Sequence, residues 1–218
     1  MAKKKQLTQN ELVSAYMDYF LEHHKAPTSI FSFTKSIGRD EAEFYPFFTS
    51  FEQLEKSVFT TFFTQTFELL EKSEDYNSFD SRTKLLSFYF TYFELLTANR
   101  SFVLALLKNG KPDFKSMKTM SGLKEHFEHF VAQLDLKTID LKHAKAEELK
   151  EKSIQKVAWG HFMVTLKFWM DDSSPSFEKT DLFIEKSVNA SFDLIEVTPL
   201  KSLIDFGKFI YKEKMNIK

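Results

Sequence analysis

Only five glycines and five prolines are spread over 218 residues, and that scarcity limits the folds open to this chain. A protein with many strands needs a tight turn at each hairpin, and tight turns consume both residue types. A chain this poor in them is expected to be all-α, with long helices and few breaks. The same sequence holds 26 phenylalanines. A ring carries much apolar surface on few rotatable bonds, so it serves either a bulky core or the wall of an apolar cavity. Composition leaves both uses open.

Helix signals follow one another along the chain. Thr8 with Glu11 forms a capping box for a helix over Leu12, Ala15, Tyr16, Tyr19 and Phe20, which Pro27 ends. Thr28 or Ser29 caps a short second helix that Gly38 stops. Asp40 is placed to cap a third, EAEFYPF, in which Pro46 forbids much extension. Ser50 opens a long fourth. Three short helices with a brief turn between the second and third make the layout of a helix-turn-helix unit. Asp75–Ser78 reads as a loop, and residues 79–97, apolar on nearly every face, as a buried helix. Asn99 is placed to cap a short helix, and residues 111–122 read as a connector or one short helix. Residues 123–134, 157–170 and 177–197 are amphipathic helices, and Pro199 starts a last one.

Several classes of chemistry are set aside. There is no cysteine, so disulfides, thiolate metal sites and cysteine nucleophiles are excluded together. Net charge is −1, which is not that of a generally basic nucleic-acid binder. The start MAKKKQL lacks the apolar stretch of a signal peptide, and no apolar run approaches the roughly 20 residues of a membrane span; the expected location is cytoplasmic. His126 and His129 read as a surface pair, His23 and His24 point apart on their helix, and His161 reads as a hydrogen-bonded core residue. No nucleophile elbow, phosphate-binding loop or dinucleotide fingerprint is present. No catalytic residue, metal site or cofactor is therefore assigned, and the chain does not read as an enzyme.

The stretch TSIFSFTKSIGRDEAEFYPFFTSFEQL resembles the DNA-binding head of TetR-family regulators, through Thr28, Ser29, Ile30, Gly38, Tyr45, Phe48, Ser50, Glu52 and Leu54. The resemblance implies a three-helix helix-turn-helix head at residues 1–50 and a larger helical bundle at 51–218 that binds ligand and dimerises. It nominates Lys3, Lys4, Lys5, Thr28, Ser29, Arg39 and Tyr45 for DNA contact. The sequence departs from the family at Phe51, where a basic residue is usual, and in an acidic reading segment with Asp40, Glu41 and Glu43. Six cations and six acids cancel over residues 1–51, a poor start for displacing counterions from DNA.

In the body, LKFWMDDSSPSFEKTDLFIEKSV is similar to the C-terminal part of coenzyme Q biosynthesis lipid-binding proteins, which share the TetR-like fold. The matching features are Phe168–Trp169, Asp171–Asp172, Ser174–Pro175 and Phe177–Glu178 ahead of Phe183. The two resemblances imply a homodimer formed through about 153–170 and 177–197, and peripheral membrane contact or self-packing by 199–212. Phe88, Tyr89, Tyr92, Phe93, Phe102, Phe127, Phe130, Phe162, Phe168 and Trp169 are candidates for lining a pocket for an apolar small molecule or lipid; the alternative is that they fill the core. Two functions follow. One is a ligand-responsive transcriptional regulator that binds DNA. The other is a lipid-binding or lipid-presenting protein of the same fold that no longer does.

Overall fold

Capping side chains set where the first helices begin. In the computed structural model, which describes residues 6–107, 118–136 and 144–196, the Thr8 hydroxyl accepts the Glu11 N–H while the Glu11 carboxylate accepts the Thr8 N–H. Two orphan amides are thereby satisfied and α1 runs Gln9–His23. His24, at φ 55, ends it in the left-handed region. Ser29 accepts the Ser32 N–H and starts α2, Ile30–Ser36. Gly38, at φ 68, makes the turn that follows, a conformation in which any side chain would be strained. Ser50 caps the 20-residue α3, Phe51–Leu70.

The expected third short helix is reduced. Only a 3-10 turn forms at Glu41–Glu43, followed by turn residues through Phe47. Pro46 has no N–H to give and disfavours helical backbone at Tyr45, so the segment cannot propagate.

Beyond the head, α4 spans Ser81–Ala98, α5 Arg100–Leu106, α6 Ser121–Gln133, α7 Ala144–Asp171 and α8 Glu178–Glu196. The loop expected at Asp75–Ser78 holds a short 3-10 turn, Tyr76–Ser78, that buries Tyr76. Asn99 does not cap α5. At φ −117 and ψ 23 its backbone is not extended as an N-cap requires, and its side-chain amide donates back to the Leu95 carbonyl at 2.9 Å. Phe90 is an exception to the expected burial of residues 79–97, being exposed. The expectations for Gly110–Met117 and for the helix after Pro199 lie outside the described residues. Among the described residues there is no strand, and the architecture is all-α.

The chain packs as two compact units: Met1–Glu74 with Thr91–Phe127, and Asp75–Phe90 with Glu128–Lys218. The first unit is built on interlocking rings. Phe33 stands nearly edge-on to Tyr16, Tyr19, Phe44 and Phe51, at centroid distances of 5.9, 6.0, 6.4 and 5.7 Å. Such geometry brings positive ring edges to negative faces and adds roughly 0.5–1.5 kcal/mol per pair beyond burial. Within this cluster the Tyr16 hydroxyl donates to Glu55 Oε1 at 2.6 Å, joining α1 to α3 inside the core. Burial, and the carboxyl beside it, push the Tyr16 hydroxyl well above the usual tyrosine range.

In the second unit α7 lies against α8. The turn between them is held by buried Asp172. Its Oδ1 accepts the Ser174 N–H and hydroxyl, and its Oδ2 accepts the Thr180 N–H and hydroxyl, at 2.7–3.0 Å. Burial alone raises this carboxyl's pKa, but the four donors outweigh it and hold it at about 2.

Candidate functional site

Two surfaces carry the residues nominated by the sequence. The first is the face of the head around α2 and the 3-10 turn. Ser29 is engaged in capping, and Thr28 Oγ1 lies 3.3 Å from the Ser32 hydroxyl. Arg39 Nη1 is ion-paired with Glu43 Oε2 at 3.2 Å. The Tyr45 hydroxyl donates to Glu41 Oε1 at 2.8 Å, an interaction that raises its pKa. Arg39 and Tyr45 are thus held by Glu43 and Glu41, two of the three acids that make the segment unusual. Phe51 belongs to the ring cluster, 5.4 Å from Tyr16 and 5.7 Å from Phe44. Phe31, on α2, leaves 58% of its surface exposed beside this face. Lys3, Lys4 and Lys5 lie outside the described residues.

The second surface is a cleft of about 280 Å3 in the second unit, bounded by α4, α6, α7 and α8. Leu85, Val131, Leu134, Leu136, Ile154, Val157, Ala158, Val188 and Phe192 give it walls almost wholly of carbon. Tyr89, His161, Ser153 and Ser191 contribute the polar atoms. Most of these are already committed. His161 Nδ1 lies 2.7 Å from the Tyr89 hydroxyl and Nε2 lies 2.8 Å from the Ser187 hydroxyl. Ser187 in turn donates to the Ile184 carbonyl. That last bond orients the chain: Tyr89 donates to Nδ1, and Nε2–H donates to Ser187. A neutral imidazole satisfies both ends at once, whereas an imidazolium requires Tyr89 to give up its donor role. Burial lowers the His161 pKa in the same sense. Ser191 gives its proton to the Ser187 carbonyl at 2.8 Å. The cleft therefore presents little unspent hydrogen-bonding capacity and suits an apolar group.

The ten rings nominated for a pocket are not brought together. Tyr92, Phe93, Phe102 and Phe127 belong to the first unit and are buried there; Tyr92 donates to the Phe59 carbonyl and Phe102 packs on Phe20. Phe88, Tyr89, Phe130, Phe162, Phe168 and Trp169 belong to the second. Of these only Tyr89 lines the cleft. Phe88 packs on Phe130 at 5.1 Å, Phe162 stacks on Trp159 at 5.2 Å, and Trp169 is buried against Phe177. Phe168 is partly exposed and stacks on Phe183 at 4.6 Å. The cleft's aliphatic residues are not among the nominated rings, although the sequence carries a signal for them. Ile154, Val157, Ala158 and His161 fall at i, i+3, i+4 and i+7, one face of a helix.

Beside the cleft, α7 and α8 expose apolar surface. Val157, Val164 and Phe168 form a line with Gly160 at helical spacing, and Leu182 and Leu194 are exposed on α8. A methyl group added at Gly160 would meet nothing within 4 Å, so that stretch of helix is open. Val157 belongs to both features: it lines the cleft and leaves 73% of its surface exposed.

His126 and His129 are exposed, as expected; one ring stacks on Phe63 at 5.4 Å and the other meets Gln133. Among the described residues no group of three or more His, Asp or Glu is placed to hold a metal ion. No helix of the described residues is long and apolar enough to cross a membrane.

A protein-family model described as tetracyclin repressor-like, C-terminal domain matches residues 84–210, more than half of the chain and most of the second unit. No curated protein matches the sequence.

Proposed function

The chain belongs to the tetracyclin repressor-like family, and from that premise we propose that it is a ligand-responsive transcriptional regulator rather than an enzyme. Its body, residues 51–218, takes up an apolar small molecule in the cleft, and its head, residues 1–50, engages DNA. The observation that carries this reading is the cleft itself, an opening with walls almost wholly of carbon among helices that the family model spans. Two copies pair through α7 and α8, over about 153–170 and 177–197. The line of exposed Val157, Val164 and Phe168 along one face of α7 supports that pairing, since clustered exposed apolar surface marks an interaction site, and Leu182 and Leu194 are exposed on α8. Val157 gives the ligand its leverage. A molecule in the cleft touches a side chain of the pairing face, so its affinity differs between two arrangements of the dimer, and a ligand biases an equilibrium only through such a difference.

Native mass spectrometry of the purified protein tests this directly. The expected spectrum shows two chains with a co-purified apolar molecule; a monomer carrying nothing counts against both pairing and uptake. Exchanging Val164 for lysine is expected to give a monomer in size-exclusion chromatography with light scattering.

The head favours a second reading, a lipid-binding protein of this fold that has given up DNA. Arg39 and Tyr45 are held by Glu43 and Glu41, and Phe51 is committed to the core. Fluorescence anisotropy with a random duplex at low salt separates the two. Affinity that falls steeply with added salt supports the regulator, because displaced counterions give that dependence. No binding at low salt supports the lipid protein.

A further inference from the structure

The cleft does not stop at its apolar wall. Leu134, Leu136 and Phe192 line it, and the same three side chains line a polar hollow of about 370 Å3. They form a shared lip, with carbon on one side and charge on the other. The charged residues of the hollow are Asp80, Arg82, Lys84 and Asp135.

Two of them are committed within the protein. Asp80 Oδ1 accepts the Thr83 N–H at 2.7 Å and caps α4. Arg82 pairs with Asp193 at 2.8 Å and lies over the Phe192 ring, 5.4 Å from its centroid. Lys84 and Asp135 have no ion-pair partner among the described residues. Their positions are not equivalent. Arg82 and Lys84 sit in the first turn of α4, which holds no acidic residue, although the positive end of a helix disfavours cations. Asp193 compensates Arg82. Lys84, which stands beside Leu85 of the cleft wall, shares the hollow with Asp80 and Asp135 but forms no ion pair with either.

We infer that the ligand is a single-chain amphipath, with its apolar tail in the cleft and an anionic head group, a carboxylate or phosphate, against Lys84 in the adjoining hollow. The neutral cleft recognises the tail; Lys84 selects the head, and Asp135 sets a repulsive limit on how tightly an anion is held. This rests on the reading of the cleft as the ligand site.

Decanoate, decyl phosphate and decanol test it, titrated calorimetrically below their aggregation concentrations into the full-length protein. Both acids are expected to bind several-fold more tightly than the alcohol. Lys84→Gln removes that advantage and leaves decanol unchanged. Asp135→Asn enlarges it, again without effect on decanol. Ala158→Trp, which fills the cleft, abolishes binding of all three, with a circular-dichroism melt as the check on folding. Equal affinity for acids and alcohol, or acids indifferent to Lys84→Gln, overturns the head-group assignment and leaves the cleft intact. Failure of every probe overturns the cleft reading as well, and binding that survives Ala158→Trp places the site elsewhere and overturns the inference. A preference for decyl phosphate over decanoate that Lys84→Gln abolishes supports the inference and identifies the head as phosphate.

Discussion

Phe33 in the head and Val157 on α7 are both apolar residues on helices, and the regions around them use that property to opposite ends. Around Phe33, four rings approach edge-on from α1, from the segment after α2 and from α3, and the side chain is fully buried. Around Val157 the cleft residues are mostly aliphatic, with Tyr89, His161 and Phe192 as the rings among them, the side chain is largely exposed, and an apolar cleft remains between helices. Rings meet in a few preferred orientations and interlock; leucine, valine and alanine on four separate helices leave a gap when no large side chain reaches across. In this molecule aromatic richness marks the packed region, and aliphatic composition marks the region able to admit a guest.

The contrast is most severely tested in the head. Phe33→Ala removes the ring that four others share and is expected to cost about 3–5 kcal/mol, the range for large core rings cut to alanine. Phe31→Ala, two residues away on an exposed side chain, should change stability by less than about 0.5 kcal/mol. Urea unfolding of both variants measures the difference; comparable losses would mean that the ring cluster is not the head's core. A smaller effect is expected at the buried pair beneath it. Tyr16→Phe takes a hydrogen bond from the Glu55 carboxyl and should cost about 2 kcal/mol. Replacing both residues, as Tyr16→Phe with Glu55→Leu, should recover part of that loss, because no polar group is then left buried without a donor. No recovery would show that the pair contributes through shape rather than hydrogen bonding.

In the second unit the corresponding rigid point is Asp172. Asp172→Ala leaves the start of α8 uncapped and should cost about 1 kcal/mol. The carboxyl's pKa is depressed to about 2 from an ordinary value of about 3.9. A depressed acid stabilises the fold fully above its unfolded pKa and loses that contribution as pH falls through the folded value. The gap between wild type and Asp172→Ala should therefore stay constant above pH ~4 and close between pH ~4 and ~2. A gap that persists at the acid end would mean that the charge is not what the four donors recognise.

Much of this architecture was legible in the sequence, for reasons that are local. Thr8, Ser29 and Ser50 cap where expected because an N-cap acts within three residues of itself. Pro46 limits the third short helix by the same kind of local geometry, though more severely than expected, to a 3-10 turn. Asn99 misled because a capping residue type says nothing of its backbone angles, which here prevent capping. Ring composition nominates ten residues for a pocket, but only Tyr89 of them lines the cleft. Which ring faces a gap and which faces another ring is decided by packing between helices distant in sequence, and no spacing within one segment encodes it. The hydrogen-bonded role expected of His161 did follow from one helix, where a lone imidazole among apolar residues must find partners or bear the cost of burial.

His161 is also where the smallest expected effect joins the two sides of the comparison, since it is a satisfied polar core residue and a wall of the cleft at once. Burial lowers its folded-state pKa below the ordinary value of about 6.5. The unfolded chain therefore takes up its proton first, and the neutral imidazole's contribution to stability is lost as pH falls below about 6.5. In His161→Gln, whose amide both donates and accepts but does not titrate, that part of the pH dependence should vanish. The same linkage governs uptake of a guest. An apolar molecule in the cleft displaces water from beside the ring and binds the neutral form in preference, so decanol affinity should weaken from pH 7 to pH 5 in the wild type and hold steady in His161→Gln. Calorimetry at the two pH values reads this without reference to any charge on the ligand. An affinity for decanol that does not move with pH in the wild type would place the guest away from His161 and detach the polar network from the cleft it borders.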